Sequence, residues 1–204
     1  SGLYRVSYTG SGDTAPVDRT PVVTAERALR HQIESFHGRQ DPKAVDSVWP
    51  HLGSSDRFIR SAARVVLEHQ PAAEWEAKAF SETDSTRKLE ALLALTKSTG
   101  ICPTHRPAGA VVDTAMRDRL FAALLRMDWA ALSQEQRLNF VRLVEIVLHR
   151  FGNPDDATVA AVIAKLDPAF PGNSFELNWL LCETLSYLQA PNTAAKGMAL
   201  IAAA

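Results

Sequence analysis

The loop sequence CPTH contains one thiol and one imidazole, the two groups that bind haem or zinc in many proteins. Covalent attachment of haem requires the motif C-x-x-C-H. His105 occupies the position of the second cysteine, so Cys102 has no partner thiol in this loop. A structural zinc site requires about four nitrogen or sulfur ligands. The sequence therefore predicts no haem, no metal and no other cofactor here.

The remaining cysteine and histidines form no metal-binding motif either. Cys182 lies in the apolar run NWLLCETLSYL, which predicts a buried structural thiol. Two cysteines so far apart do not form a disulfide framework. No histidine pair has the H-E-x-x-H spacing of a helical metal site. We expect surface or capping roles for the scattered histidines, which are His31, His37, His51, His69 and His149.

Charged residues on one predicted helix allow two interpretations. Asp56 and Arg60 stand four residues apart, a spacing that predicts an ion pair worth a few tenths of a kcal/mol. Arg60 and Arg64 have the same spacing, so a ligand-binding arginine cluster is the alternative. Charge runs on helices usually form solvated faces, which favours the structural interpretation.

No enzyme motif is present in the sequence. The chain contains no G-x-S-x-G, no P-loop and no G-x-G-x-x-G. The acidic pairs Asp155/Asp156 and Glu82/Asp84 fit helix starts better than catalytic carboxylates. We therefore predict that the chain is not an enzyme and has no catalytic, cofactor-binding or metal-binding residues.

The overall composition also excludes some classes of partner. The chain has 204 residues, 46% of them hydrophobic, and a net charge of −1 from 22 basic and 23 acidic side chains. Proteins that bind nucleic acid usually show a basic excess, so none is expected as a partner. No apolar run reaches the roughly eighteen residues that span a bilayer, so we expect no direct membrane insertion.

The elements that would position any site are helices. From Thr24 onward, apolar residues recur at spacings of three and four, and about ten helices with short connections are predicted. Thr24 and Ser133 are predicted caps, the latter in a capping box with Gln136. Asp41 and Asn153 are also predicted caps, each followed by proline at the first helical position. Two faces are expected in the core: one with Phe58, Ile59, Ala62, Ala63, Val66 and Leu67, the other with Leu89, Leu92, Leu93 and Thr96.

The two ends of the chain differ from the helices between them. Residues 3–8 have the β-branched and aromatic character of one strand, followed by a Gly/Ser/Asp turn cluster. The last predicted helix ends in ALIAAA without a cap. We therefore expect residues 1–20 to be a strand and linker left from a preceding domain. Residues 21–204 are expected to form a helical-repeat domain truncated at its C-terminus.

The helices repeat a degenerate pattern. SSDRFIRSAARVVL and ETDSTRKLEALLAL share a cap, a basic residue and a run of small and aliphatic residues. Trp49, Trp75, Trp129 and Trp179 recur at related intervals. Repeats of helix pairs that bury their faces against neighbours predict a HEAT-like α-solenoid of antiparallel helix pairs, with one stray N-terminal strand. An irregular helical bundle is the alternative.

Several phrases of the sequence together resemble a known family. LYRVSYTG resembles the closing strand of a β-propeller of the sorbosone/glucose-dehydrogenase type. FIRSAARVVLEHQP, LEALLALTKS, RMDW, LSQEQRLNFVR and LDPAFPGNSFELNWLLCETLSYLQAPNTAAKGMAL resemble the HEAT-like segment that follows such propellers in large bacterial proteins. In that family a c-type cytochrome domain commonly follows the helices.

The resemblance implies a non-catalytic scaffold or interaction module within a larger redox protein. The helices would space a propeller dehydrogenase domain from a cytochrome c domain, in the periplasm or outside the cell, with membrane association possible through the parent protein. The partners would be other domains of that protein or another protein. The alternative function is a helical-repeat domain that binds nucleic acid or acts as a DNA-repair enzyme, which requires a basic groove with aromatic residues.

Overall fold

The computed structural model describes residues 2–20 and 22–203, and in these residues it contains ten α-helices and no β-strand. The prediction of an all-α chain with about ten helices is therefore confirmed. The helices are α1 (Ala25–Glu34), α2 (Ala44–Val48), α3 (Arg57–Glu68), α4 (Glu76–Ser81), α5 (Ser85–Thr99), α6 (Thr114–Leu125), α7 (Gln134–Phe151), α8 (Asp156–Leu166), α9 (Phe175–Tyr187) and α10 (Thr193–Ala203).

The strand predicted over residues 3–8 is not formed. The side chains of Leu3, Tyr4 and Val6 are exposed, outside the core of the helices. A β-strand is held by backbone hydrogen bonds to a neighbouring strand, and the described part of the chain offers none. The division between residues 1–20 and 21–204 stays a prediction.

Side-chain caps determine where most helices begin. Thr24 caps α1, and Ser133 forms a reciprocal capping box with Gln136 at the start of α7, both as predicted. Each cap satisfies a backbone N–H that has no acceptor within its helix.

Two predicted helix starts are wrong by a few residues. Asp41 does not cap α2, which begins at Ala44; its carboxylate accepts from the N–H of Lys43 in the preceding turn. Asn153 does not cap α8, because Asp155 does so. In both cases the proline precedes the helix instead of lying in its first turn.

The helices pack in an alternating order. The odd-numbered helices α1, α3, α5, α7 and α9, which we call the odd row, each contact the next member of the row. The even-numbered helices contact them: α2 packs on α3, α4 on α5, α6 on α7, and both α8 and α10 on α9. Each odd-row helix from α3 to α9 therefore lies against two or more helices that are close to it in sequence, whereas α1 packs on α3.

The core lies between these helices and uses the predicted apolar faces. The buried side chains of the two central faces are Ile59, Ala62, Ala63, Val66, Leu67, Leu89, Leu92 and Thr96. Two residues of the predicted faces are exceptions: Leu93 is only partly buried, and Phe58 has 56% of its surface exposed. The Phe58 ring lies under the guanidinium of Arg57 at 4.8 Å and lines a surface hollow beside Val22, so Phe58 faces away from the core although its neighbour Ile59 is buried there.

Candidate functional site

A network of ion pairs joins three helices of the odd row. Arg60 of α3 lies 3.3 Å from Glu90 of α5 and also contacts Glu135 of α7. Arg64 contacts the second carboxylate oxygen of Glu90 at 3.0 Å. The network consists of Arg60, Arg64, Glu68, Glu90, Lys97 and Glu135. Because these contacts link successive helices, the network fixes their positions relative to one another.

The predicted pair between Asp56 and Arg60 is not formed. Asp56 caps α3 and accepts from the N–H of Phe58 at 2.7 Å. Arg60 is only 7% exposed and donates to the carbonyl oxygen of Ser54 at 2.7 Å. The interpretation of Arg60 as part of a solvated face is therefore wrong. The guanidinium is occupied by carboxylates of neighbouring helices, which explains why intrahelical spacing did not identify its partners.

A groove of about 360 Å³ runs between α7 and α9, and we call it the α7–α9 groove. Its size falls at the lower end of the range for ligand sites. Its lining combines charged, aromatic and aliphatic side chains. These are Arg142, Glu145, Ile146, Leu148, His149, Glu183, Thr184 and Tyr187.

Glu145 is the polar centre of the α7–α9 groove. It accepts from the hydroxyl of Thr184 at 2.9 Å and from the guanidinium of Arg142 at 2.7 Å. Burial raises the pKa of the Glu145 carboxyl, and the nearby charge of Glu183 adds to this effect. Glu183 has no ion-pair partner among the described residues. The groove therefore has an acidic character that Arg142 offsets only in part.

Exposed aromatic side chains extend this surface along α9. Phe175, Trp179 and Tyr187, which we call the aromatic strip, are all exposed. The rings of Phe175 and Trp179 meet edge to face, with centroids 5.7 Å apart. Both rings line a second hollow that shares Arg142 with the α7–α9 groove. The groove and the strip therefore form one continuous surface.

The four tryptophans do not occupy equivalent places, although their intervals supported the predicted repeat. Trp49 and Trp75 are buried in the core, and Trp129 is partly buried against Phe140. Trp179 is 61% exposed. Its packing differs from that of the others, so a core role does not account for it.

The structure brings Cys102 next to a histidine that is distant in sequence. The sulfur of Cys102 lies 3.4 Å from Nε2 of His149, near the C-terminal end of α7. The hydrogen bond from His149 lowers the pKa of the Cys102 thiol to about 6, with smaller contributions from Thr104 and His105. Cys102 is partly exposed. A lowered thiol pKa increases the fraction of thiolate, which is the nucleophilic form of cysteine.

The other predicted site residues lie apart. Cys182 is partly buried, not fully buried as expected. His31 is exposed and pairs with Glu34, as expected of a surface residue, whereas His37 is half-buried and contacts the carbonyl oxygen of Ala62 at 2.9 Å, which is neither a surface nor a capping role. Within residues 2–20 and 22–203, no group of three or more His, Cys, Asp and Glu side chains is placed to hold a metal ion.

The comparisons with known proteins give no relative. No family model matches the chain, and neither a curated protein nor a solved structure matches it. In the part of the chain that the structure describes, no helix has both the length and the apolar character needed to cross a membrane.

Proposed function

We propose that this chain is a non-catalytic helical-repeat module, a HEAT-like α-solenoid that holds a partner protein on helices α7 and α9 of its odd row. The packing order carries the proposal: each odd-numbered helix contacts the next one, and even-numbered helices pack against them. Helix pairs that bury their faces mainly against sequence neighbours are the building principle of solenoids. Such modules use extended surfaces to bind other proteins.

The α7–α9 groove and the aromatic strip are the surface on which we place the partner. Exposed Trp and Tyr, together with Arg, are the side chains that dominate binding energy at protein interfaces. Trp179, Tyr187 and Arg142 supply all three types on one surface. Glu176 and Glu183 add negative charge there. A partner segment with basic and apolar side chains would complement this surface.

We further propose that the module spaces a propeller dehydrogenase domain from a cytochrome c domain in a larger periplasmic or extracellular protein. The order of phrases from LYRVSYTG to KGMAL supports this role through its resemblance to such proteins. Sequencing the gene on both sides of this segment tests it. We expect propeller strands before the segment and a C-x-x-C-H motif after it; flanking regions with neither feature would contradict the spacer role.

A protein partner is favoured over nucleic acid by the pairing of the basic side chains. A nucleic-acid groove requires guanidinium or ammonium groups that face phosphates. Arg60, Arg64 and Arg142 are instead paired with carboxylates. The net charge of −1 agrees with this assignment.

Selection of displayed random peptides against the full chain tests the proposed binding surface. We expect the enriched peptides to carry Lys or Arg beside aliphatic residues. Trp179→Ala should weaken binding of these peptides at least tenfold, because a central aromatic anchor contributes roughly 2 kcal/mol or more. Glu183→Lys should shift the selection toward acidic peptides.

The matched control is Phe58→Ala, which removes an equally exposed aromatic ring on α3. We expect this variant to bind the selected peptides as the unchanged chain does. Equal binding to the Trp179→Ala and unchanged chains would contradict the proposed surface. Tight, salt-dependent binding of a labelled DNA duplex would favour the nucleic-acid alternative instead.

A further inference from the structure

The pair formed by Cys102 and His149 is not used by the proposed interaction surface, although His149 also lines the α7–α9 groove. The two residues come from different elements: Cys102 follows α5, and His149 belongs to the last turn of α7. The loop that carries Cys102 is held in place by two arginines. Arg106 donates to the carbonyl oxygens of Ile101 and Arg150, at 3.1 and 2.7 Å. Arg150 donates to the carbonyl oxygen of Gly100.

We propose that Cys102 and His149 form a reactive thiol site that undergoes thiol–disulfide exchange with low-molecular-weight disulfides. The geometry supplies the requirements of the reaction: a partly exposed sulfur, an imidazole nitrogen 3.4 Å away and an anchored loop. The thiolate is the attacking form in this reaction. An imidazole in contact with the sulfur stabilises the thiolate as its ion-pair partner.

The exchange step conserves atoms and electrons. The thiol proton of Cys102 moves to Nε2 of His149, and the resulting thiolate attacks one sulfur of the small disulfide R–S–S–R. The S–S bond of the small molecule breaks as the Cys102–S–S–R bond forms. The leaving thiolate R–S⁻ takes the proton from the imidazolium. The small disulfide is therefore the oxidant, and one equivalent of R–SH is released.

The titratable groups at the sulfur are few. His149 faces it from α7, and His105 belongs to its own loop, where Thr104 adds hydrogen bonds but does not titrate. The guanidiniums of Arg106 and Arg150 hydrogen-bond to the backbone around it. These contacts thus include four basic side chains, from α7 and the loop after α5, and no carboxylate, which favours the negative charge of a thiolate.

Incubation of the full chain with oxidised glutathione at pH 6 tests the site. The mixed disulfide at each cysteine is quantified by peptide mass spectrometry after an acid quench. Cys182, also partly buried, is the internal control. A thiol with pKa near 6 is about half ionised at pH 6. A large thiolate fraction outweighs the lower nucleophilicity of a less basic sulfur. We therefore expect Cys102 to react about tenfold faster than Cys182.

His149→Gln tests whether Cys102 is reactive because of the neighbouring imidazole or only because its sulfur is exposed. The variant keeps Cys102 in place but removes the imidazole, and we expect the pH 6 rate at Cys102 to fall about tenfold. His105→Gln is the matched control, and its effect should be smaller. Unfolding the unchanged chain in urea should abolish the difference between the two cysteines. Circular dichroism confirms that each variant is folded.

Two results would overturn the proposal. One is a folded chain in which Cys102 reacts no faster than Cys182 at pH 6. The other is an unchanged rate at Cys102 in folded His149→Gln. Neither result bears on binding at Trp179, so failure of this site is distinguishable from failure of the proposed function.

Discussion

Arg60 and Glu90 face each other across α3 and α5, with Nε of the guanidinium 3.3 Å from Oε1 of the carboxylate and both side chains largely removed from water. Glu90 receives a second guanidinium from Arg64 at 3.0 Å. A buried charge is tolerated only when paired, so the two helices are held at the separation that permits these contacts.

Replacing Arg60 with methionine should therefore destabilise the chain. The substitution leaves Glu90 buried with one guanidinium instead of two. Breaking a buried ion pair usually costs about 3–5 kcal/mol. We expect a smaller loss of about 2–3 kcal/mol in the free energy of unfolding at pH 7, because Arg64 still pairs with Glu90. Urea denaturation followed by circular dichroism measures the change.

Arg57→Met is the matched control, because Arg57 lies on the same helix and is exposed. Surface substitutions of this kind usually change stability by less than about 0.5 kcal/mol. Equal losses in the two variants would show that the contact with Glu90 contributes nothing specific.

The carboxylate of Glu82 makes the stability of the chain depend on pH. Burial opposes its ionisation, but the N–H groups of Asp84 and Thr83, the indole of Trp49 and the guanidinium of Arg87 all donate to it, and its pKa falls to about 2. The folded chain therefore binds this proton less readily than the unfolded chain. The stabilisation is complete above pH 4.5 and is lost as the pH falls toward 2.

Glu82→Gln should remove this stabilisation. At pH 7 we expect a loss of about 2 kcal/mol in the free energy of unfolding, and the difference between the two proteins should shrink progressively below pH 4.5. Glu74→Gln, an exposed glutamate before α4, is the control. A stability difference that stays constant from pH 7 to pH 3 would contradict the role assigned to the Glu82 charge.

The helices could be predicted from periodicity because the residues of each buried face lie three or four positions apart in the sequence. The faces around Val66 and Leu92 follow from spacings of three and four alone. The helix starts were less predictable. Where two cap candidates lie within three residues, as at Asn153 and Asp155, the choice depends on the path of the preceding turn, which sequence does not specify.

The candidate sites could not be predicted, because their residues meet only through the tertiary structure. Cys102 and His149 are 47 positions apart, and no local motif joins them. Intrahelical spacing paired Arg60 with Asp56, whereas packing against α5 pairs it with Glu90. Trp179 was expected to mark the same repeat as the other tryptophans, and only the observed burial distinguishes it from Trp75.

The segment before α1 should contribute little to stability. Its apolar side chains, including Leu3, Tyr4 and Val6, are exposed. Deleting residues 1–20 should therefore change the free energy of unfolding by less than about 0.5 kcal/mol. Ile33→Ala, which removes a buried side chain of α1, should cost about 2–4 kcal/mol and calibrates the assay. A loss above about 2 kcal/mol on deletion would show that the segment belongs to the helical core.

Two glycines should respond to alanine in opposite directions. A Cβ on Gly100, after α5, would lie 2.6 Å from the Phe151 ring and 2.9 Å from the carbonyl oxygen of Thr96, so the backbone or the ring must shift. Gly197 lies inside α10, where a Cβ would meet no atom within 4 Å.

We expect Gly100→Ala to lower the free energy of unfolding by about 1–3 kcal/mol, the usual cost of overpacking. Gly197→Ala should raise the stability of α10 by about 0.5–1 kcal/mol, because alanine restricts the unfolded chain and favours helix. Thermal denaturation of both variants beside the unchanged chain measures the two effects. Because the substitution is chemically identical, opposite signs arise only from the surroundings of each glycine. A stabilised Gly100→Ala variant would mean that the loop before Cys102 packs less closely on α7 than the contact with Phe151 requires.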